Sequence, residues 1–305
     1  MTRCQRFAAL TLLLAVVAGC AGNRPPGTQP PERYWSVADG RWLTPDAVAT
    51  AVADADYLLL GEIHDNAAHH LGQADLLRRF PGKDVAVGFE QLDSAQAEGL
   101  EDALASDDPL AALPGAVAWA DAGWPPWALY APVFAAALEG GHAPIPLSFP
   151  RREAFAVADA GFNAVLPPEA LAALAPENLL DAQAQEALEQ ELADAHCGKL
   201  PAAMLPAMAT VQMARDAYMA WRQVRAGDRG VLVLGAGHAR RDRAVPRFLA
   251  RLVPDARIAV VVFVEERAEA TFPDDYPEAQ PGFADFVAVT EAAERPDPCA
   301  TLGEH

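Results

Sequence analysis

The 305-residue sequence contains 52% hydrophobic residues, enough for a sizeable buried core in one large or two ordinary domains. Acidic side chains number 42 against 23 basic ones, which gives a formal net charge of −19. Such an acidic chain lacks the basic surface that nucleic acid or a polybasic hold on anionic lipid requires, so both are excluded. Four cysteines are too few for a fold held together by disulfides.

The first twenty residues have the three parts of a bacterial lipoprotein signal. Arg3 and Arg6 precede an uncharged apolar run over residues 7–17, which is too short to span a membrane. The segment ends in Ala-Gly-Cys, which resembles a lipobox. The resemblance implies that residues 1–19 are a removed signal peptide and that Cys20 carries the lipid.

The sequence after the lipid site predicts a tether followed by one folded domain. Residues 20–33 are rich in proline and glycine, so we expect a flexible tether there. The domain then covers residues 34–305. Ala21 differs from the aspartate that retains lipoproteins in the inner membrane, and by analogy we expect attachment to the outer membrane. Two or three acyl chains are enough for stable anchoring.

Alternating strand and helix patterns predict an α/β fold with a mainly parallel sheet flanked by helices. Near-continuous apolar runs are typical of parallel strands buried on both faces. Five such runs are predicted to be strands, at residues 57–61, 85–89, 144–149, 231–234 and 258–264. Residues 152–226 show only helical patterns, which predicts a helical insertion between the third and fourth strands. Residues 283–290 are predicted to be a last strand at the sheet edge.

Ionisable side chains follow the predicted strands at the point where each strand ends. Because the carboxyl ends of parallel strands share one edge of the sheet, we expect these side chains to converge on a ligand site. The converging candidates are Glu62, His64, Glu90, Arg151, His238 and Arg240. The alternative interpretation is that such residues only cap helices and satisfy buried backbone groups.

Gly-x-x-His occurs twice in the sequence, at Gly61 to His64 and at Gly235 to His238. Each glycine would let the backbone turn tightly, so that each histidine projects over the sheet edge. His64 and His238 together with Glu90 would form a two-histidine, one-carboxylate set for a divalent metal. Alternatively, the two histidines would move protons without a metal.

Three further features leave alternatives open. Cys197 and Cys299 are the thiols that remain once Cys4 is removed and Cys20 is lipidated, and they form a disulfide or stay free. A methionine-rich helix within residues 202–226 either fills the core or faces an apolar ligand. The aromatic group at residues 119–130 either lines a flat ligand or packs onto the sheet.

The charged pair Arg215 and Asp216, inside the methionine-rich helix, needs polar partners, which the strand-end side chains could supply.

The ordered set of these motifs resembles the ChaN-like haem-binding lipoproteins. The resemblance covers residues 42–264 and follows the lipobox in its expected place. It rests on Leu60-Gly61-Glu62-Ile63-His64-Asp65-Asn66 with His69-His70, Gly88-Phe89-Glu90, Phe149-Pro150-Arg151, His196-Cys197, Gln212-x-x-Arg215-Asp216 and Gly235-Ala-Gly237-His238.

The resemblance implies a lipid-anchored protein that binds haem in haem or iron uptake at the bacterial outer membrane. It also implies a homodimer around haem and an outer-membrane haem receptor as partner. The family attributes haem ligation to tyrosine, but no motif aligns that ligand with a position in this sequence. The candidate haem ligands are therefore Tyr130, His69, His196 and Tyr218.

The resemblance extends to the Tiki, TraB and erythromycin-esterase-like superfamily, which includes metal-dependent hydrolases. In that alternative, Glu90 would be a general base or metal ligand, and His64 and His238 would be ligands or proton carriers. Arg151 would clamp an anion. We expect a binding protein rather than an enzyme, with the metal-dependent hydrolase as the alternative.

Overall fold

The structure is a computed structural model that describes residues 29–82 and 85–301. The predicted signal peptide over residues 1–19, the lipid site Cys20 and the tether as far as residue 28 lie outside the described residues.

An eight-stranded sheet forms the middle layer of the fold, in the order β2-β1-β8-β7-β3-β6-β4-β5. Strands β3 to β8 pair in parallel, whereas β1 is antiparallel to both β2 and β8. This confirms the predicted α/β fold with a mainly parallel sheet. The strands are β1 (Tyr34–Ser36), β2 (Arg41–Leu43), β3 (Tyr57–Glu62), β4 (Ala86–Asp93), β5 (Ala143–Ser148), β6 (Gly230–Gly235), β7 (Ile258–Glu265) and β8 (Phe286–Thr290).

The predicted edge position of the last strand is wrong. β8 lies inside the sheet, because β1 pairs with it along its outer side, with Trp35 opposite Val287. The two short strands β1 and β2 were not predicted, since three residues are too few to show an alternating pattern. They cover the edge that β8 would otherwise expose.

Helices cover both faces of the sheet. Four of them, α6 to α9, form the predicted helical insertion between β5 and β6. Among the described residues, no helix combines the length and apolar character needed to cross a membrane. The helices are α1 (Pro45–Val52), α2 (Ala67–Arg79), α3 (Ala97–Leu104), α4 (Pro109–Ala116), α5 (Trp127–Glu139), α6 (Arg151–Ala160), α7 (Pro168–Leu174), α8 (Ala182–Ala195), α9 (Leu205–Ala226), α10 (Ala236–Ala239), α11 (Val245–Leu252) and α12 (Pro298–Thr301).

Two apolar cores lie on opposite faces of the sheet. Successive strand residues point to opposite faces, so Leu59 enters the core that contains α9, and Leu58 and Leu60 enter the core that contains α2 and α5. Burial on both faces explains why β3 and β6 are apolar without alternation. Met213 and Met219 of the methionine-rich helix are buried in the first core.

The carboxyl-terminal tail connects the helical insertion with the sheet edge. A disulfide joins Cys197, directly after α8, to Cys299 in the tail, with the Cα atoms 5.6 Å apart. Arg295 of the same tail donates to both carboxylate oxygens of Asp65, at 2.7 and 2.8 Å, and also pairs with Glu265. Because Asp65 follows His64, the tail fixes the loop that carries one of the candidate site residues.

Candidate functional site

The carboxyl ends of the parallel strands meet at one edge of the sheet, where the ends of β4 and β5 line a cavity. The cavity has a volume of about 510 Å³ and opens between the loop before α5 and the first turn of α6. Its lining includes Glu90, Ser148, Arg151, Arg215 and His238. Volumes of this size are typical of small-molecule sites.

The two Gly-x-x-His glycines allow close packing and are not needed for a tight turn. Gly235 has an extended backbone, with φ −61° and ψ 146°. A Cβ atom on Gly61 would lie 2.7 Å from Cβ of Ala239, and one on Gly235 would lie 3.1 Å from the ring of His64. The first distance is too short for a side chain and the second is tight, so the glycines let α10 and the His64 ring approach the strands closely.

One half of the polar cluster surrounds the carboxylate of Glu62, at the end of β3. The Tyr130 hydroxyl donates to Glu62 Oε1 at 2.5 Å, and the Gln91 amide donates to the same oxygen at 3.0 Å. His64 Nδ1 lies 2.9 Å from that oxygen, and the His64 ring contacts Trp124 edge-on. Three polar groups on three elements therefore hold one buried carboxylate.

His70 lies behind Glu62 and is completely buried on α2. Its Nε2 atom is 3.7 Å from Glu62 Oε2, which is too long for a hydrogen bond, and its ring packs on Tyr130 at 4.1 Å between centroids. Neither ring nitrogen has a hydrogen-bond partner among the described residues. Burial lowers the pKa of His70, so the ring is held neutral beside the carboxylate.

The other half of the cluster surrounds His238, on the short helix α10. His238 Nδ1 lies 2.6 Å from Asp216 Oδ1 of α9, and its Nε2 lies 3.4 Å from Glu90 Oε1. Glu90 Oε2 accepts the backbone N–H of Gly235 at 2.7 Å. The imidazole therefore stands between two buried carboxylates, and Glu90 borders the cavity.

The pKa values in this cluster are set by burial and by opposite charges. Burial lowers the pKa of His64, but the hydrogen bond to Glu62 and the charge of Glu90 outweigh burial and raise it to about 9. Burial of Glu90 is likewise outweighed, chiefly by the charge of His238, and the pKa of Glu90 is lowered. Burial raises the pKa of Asp216 to about 6 despite His238 beside it. The cleft therefore holds protonated histidine and ionised glutamate side by side at neutral pH.

The structure places the predicted strand-end residues unequally. Glu62, His64, Glu90 and His238 come together, whereas Arg151 is exposed at the cavity wall in the first turn of α6. Arg240 does not join the cluster, because its guanidinium pairs with Asp242 and Glu191 on the outside of the fold. The convergence expected of Arg240 was wrong: α10 ends before this residue and turns its side chain away from the cavity.

A divalent metal at His64, His238 and Glu90 is not supported by the geometry. Among the described residues, no group of three or more histidine, cysteine, aspartate or glutamate side chains is arranged to hold a metal ion. The physical reason is that the donors are committed to other partners. His64 Nδ1 faces Glu62, His238 Nδ1 faces Asp216, and Glu90 Oε2 accepts a backbone N–H.

Two of the candidate haem ligands lie inside the protein core. Tyr130 is fully buried and donates to Glu62. His69 is also fully buried: its Nδ1 accepts the backbone N–H of Ile63 at 3.0 Å, and its Nε2 lies 2.9 Å from Thr290 Oγ1. Neither side chain fits an iron ligand, because burial and these contacts leave no donor atom open to a haem.

The other two candidate haem ligands lie on the helical insertion and are half-buried. Tyr218 of α9 packs edge-on against Phe149 at 5.5 Å between ring centroids. His196 follows α8, and its Nδ1 lies 2.8 Å from the backbone oxygen of Leu192. Since a carbonyl can only accept, Nδ1 carries the proton and the lone pair of the ring is on Nε2. His196 therefore fits a haem iron better than either buried candidate.

Sequence patterns identified only part of this site. They indicated that Arg215 and Asp216 need polar partners. In the structure Asp216 contacts His238, and Arg215 donates to Ser148. The roles of Gln91 and His70 were missed. Gln91 directly follows Glu90 in a strand, and successive side chains of a strand point to opposite faces of the sheet. This alternation was the signal available for Gln91. In the aromatic group, Trp119 is packed in the core and Trp124 lines the cavity, and the flat ligand stays a prediction.

Comparison with known proteins identifies the family. Residues 48–249 match the family model described as haem-binding uptake, Tiki superfamily, ChaN. The chain belongs to this ChaN haem-binding family. The matched region runs from α1 to α11 and contains both halves of the polar cluster as well as the whole helical insertion. No curated protein matches the sequence.

A solved ChaN structure shares the fold of this chain. A structure described as cofacial haem binding to ChaN of Campylobacter jejuni is similar with a TM-score of 0.67 and 16% identity, and covers 85% of this chain and 97% of that chain. A mutant of the erythromycin esterase EreC in its open conformation has a TM-score of 0.41 and 15% identity, covering 87% and 84%. The latter score is too low to support an inference about this ChaN-family protein.

We predict that the free energy of unfolding falls as the pH rises from about 6.5 to about 9. The pKa of His64 is about 9 in the folded chain and 6.5 in its ordinary state, so the folded state binds the extra proton in this window and loses it as the pH rises. Urea unfolding at several pH values measures the decline, and a His64→Gln variant should lose part of it. Identical pH profiles for the two chains would contradict the raised pKa.

Proposed function

We propose that this ChaN-family protein is a lipid-anchored haem-binding protein that acts in haem or iron uptake at the bacterial outer membrane. Membership of the ChaN family supports haem as the ligand. The observation that carries the binding site is the orientation of His196, whose Nδ1 is held by the Leu192 carbonyl at 2.8 Å. Histidines that ligate metals usually donate their second ring N–H in this manner.

The helical insertion that carries His196 also exposes large apolar side chains. Phe155 and Met204 lie on the same helical insertion and are the exposed large apolar side chains of the described chain, at 73% and 48% exposure. Exposed apolar surface of this kind marks binding sites for flat ligands or partners. A haem held there supplies a redox-active iron, while the chain supplies the ligand, the apolar contacts and the orientation. A second copy of the chain, and a haem receptor, are the proposed partners.

We predict that His196→Gln weakens haem binding by at least about tenfold. Even groups that only orient a metal ligand are worth roughly 10- to 100-fold in affinity, so loss of the ligand should cost no less. Titration of the mature chain with haemin, followed by its Soret band, measures the affinity and the stoichiometry. Sedimentation of the loaded protein shows whether two copies enclose the haem.

A Tyr218→Phe variant is the control for this assignment, because it removes the second half-buried candidate and keeps its ring. We expect its haem affinity and Soret position to equal those of the unaltered protein. Loss of binding in Tyr218→Phe with none in His196→Gln would move the ligand to Tyr218. Absence of saturable haemin binding by the unaltered protein would remove the proposed function itself.

We predict that lipid anchoring depends on Cys20. Export in a bacterial host should incorporate labelled fatty acid into the protein and bring it to the outer-membrane fraction, because two or more acyl chains anchor stably. A Cys20→Ser variant should carry no label and leave the membrane fraction. Membrane association that persists without the label would contradict the lipid anchor.

A second candidate function is acid–base hydrolysis in the cleft. The observation that favours it is the position of His238, between Asp216 and Glu90, at the wall of the 510 Å³ cavity. Burial lowers the pKa of His238, but the charges of Glu90 and Asp216 outweigh burial and raise it. His238 would therefore donate a proton to a leaving group, and Glu90 would accept one from water. No metal is required for these roles.

We predict that any ester or amide hydrolysis by the unaltered protein falls by about 10²- to 10⁴-fold in His238→Ala, the range expected for loss of a general acid. A panel of p-nitrophenyl esters and casein peptides provides the assay. The His196→Gln variant is the matched control, because it changes a histidine outside the cleft. Equal hydrolysis by His238→Ala and the unaltered protein would remove this candidate.

A further inference from the structure

Two arginines face the strand-end cavity with most of their donors unused. Arg215 of α9 makes one hydrogen bond, from Nη1 to Ser148 Oγ at 3.2 Å, and stacks over the ring of Phe149 at 5.1 Å. Arg151 lines the same cavity and makes no hydrogen bond or ion pair among the described residues. A guanidinium has five N–H donors, so both heads keep donors free for a ligand.

The two guanidinium groups lie close enough to repel each other. Burial lowers the pKa of Arg215, and the charge of Arg151 lowers it further, whereas the charges of Glu90 and Asp216 raise it. Two neighbouring cations repel each other in a partly buried cleft, and an anion between them would offset that repulsion.

Two of the three acidic residues that line the cavity are bonded to other groups. Glu90 is committed to His238 and to the backbone N–H of Gly235. Asp93 accepts the backbone N–H of Ala95 and so caps its own turn. Among the described residues, no carboxylate forms an ion pair with either arginine within 4.0 Å, a distance that does join Arg152 to Glu153.

Other elements of the cavity suit an anion with an apolar body. Helix α6 begins at Arg151, and its cap residue Pro150 offers no side-chain hydrogen bond to the first turn, where Glu153 is the acidic residue. Phe149 and Trp124 place aromatic surface beside the two arginines. A planar oxyanion matches the fork of a guanidinium and can bridge two of them.

We propose that Arg151 and Arg215 form a binding site for a carboxylate or phosphate group of a ligand that enters the strand-end cleft. His196 is not part of the cavity lining, so the site is distinct from the proposed haem ligand. The anion has two sources: a separate small organic anion, or a propionate of a haem bound nearby. If the cleft hydrolyses a substrate, this site implies that the substrate is an ester or amide that carries an anionic group.

The test uses calorimetric titration of the mature chain with four probes: inorganic phosphate, benzoate, haemin and haemin dimethyl ester. Arg151→Gln and Arg215→Gln remove the two charges separately. Arg152→Gln is the matched control, because it removes a neighbouring exposed charge on the same helix outside the cavity. Arg151 is exposed, so its variant is expected to fold even if Arg215→Gln does not.

A separate anion is supported if benzoate or phosphate binds and both cavity variants weaken it by roughly 10- to 100-fold, the value of a charge-assisted hydrogen bond. A propionate is supported if the same variants weaken haemin but not its dimethyl ester. The proposal is overturned if Arg151→Gln and Arg152→Gln behave alike with every probe, or if neither phosphate, benzoate nor haemin distinguishes the variants. If haemin does not bind, the proposed haem function fails, and the anion site is then decided by the phosphate and benzoate titrations alone.

Discussion

Two buried carboxylates at the end of a parallel sheet determine how the rest of the site is built. Glu62 and Glu90 are 2% and 6% exposed, and an ionised carboxylate without partners is strongly destabilising at such depth. Glu62 is held by donors from the loop after β3, from β4 and from α5, and Glu90 by the backbone of β6 and by His238. Each partner comes from a different element, so the polar cluster forms only when those elements are already packed. The cluster thereby specifies how sheet and helices are assembled.

The same commitments restrict what the cluster can bind. Donor atoms that hold each other in place are poor ligands for a metal, because binding would leave a carboxylate or an imidazole unpaired in the interior. A haem iron is therefore bound more readily by a side chain nearer the surface whose orientation is fixed by the backbone. The orientation of His196 is fixed in this way by the backbone oxygen of Leu192. The cluster instead offers charge and protons, with an ionised Glu90 in the cavity lining and a protonated His64 in the neighbouring half of the cluster. In this proposal, the haem iron ligand and the strand-end cluster lie in different parts of one fold.

The fold could be predicted from the sequence because its strongest signals are local. Apolar runs such as residues 57–61 need burial on both faces, which in turn requires parallel strands between helices. Because parallel strands end at the same edge of a sheet, the convergence of the residues at their ends then followed from the topology alone. The direction of a single side chain does not follow from topology. Tyr130 lies on α5, which is apolar nearly all round, so nothing in its spacing shows that the hydroxyl reaches Glu62 and not the surface. The prediction for Arg240 was wrong for the same reason, because α10 ends before Arg240 and the side chain turns away from the cavity.

Helix α9 joins the two parts of the molecule. It supplies Arg215 and Asp216 to the cleft and packs against α8, which ends at Ala195 directly before His196. The tail reinforces this connection, because its disulfide holds the residue next to His196 while Arg295 holds the residue next to His64. A ligand on the insertion and a ligand in the cleft would therefore both contact elements that pack against α9. Coupling between them requires two arrangements of α9 that differ in affinity for each ligand. The buried pair of Asp216 and His238 opposes any second arrangement, since moving α9 would leave both groups without their partner.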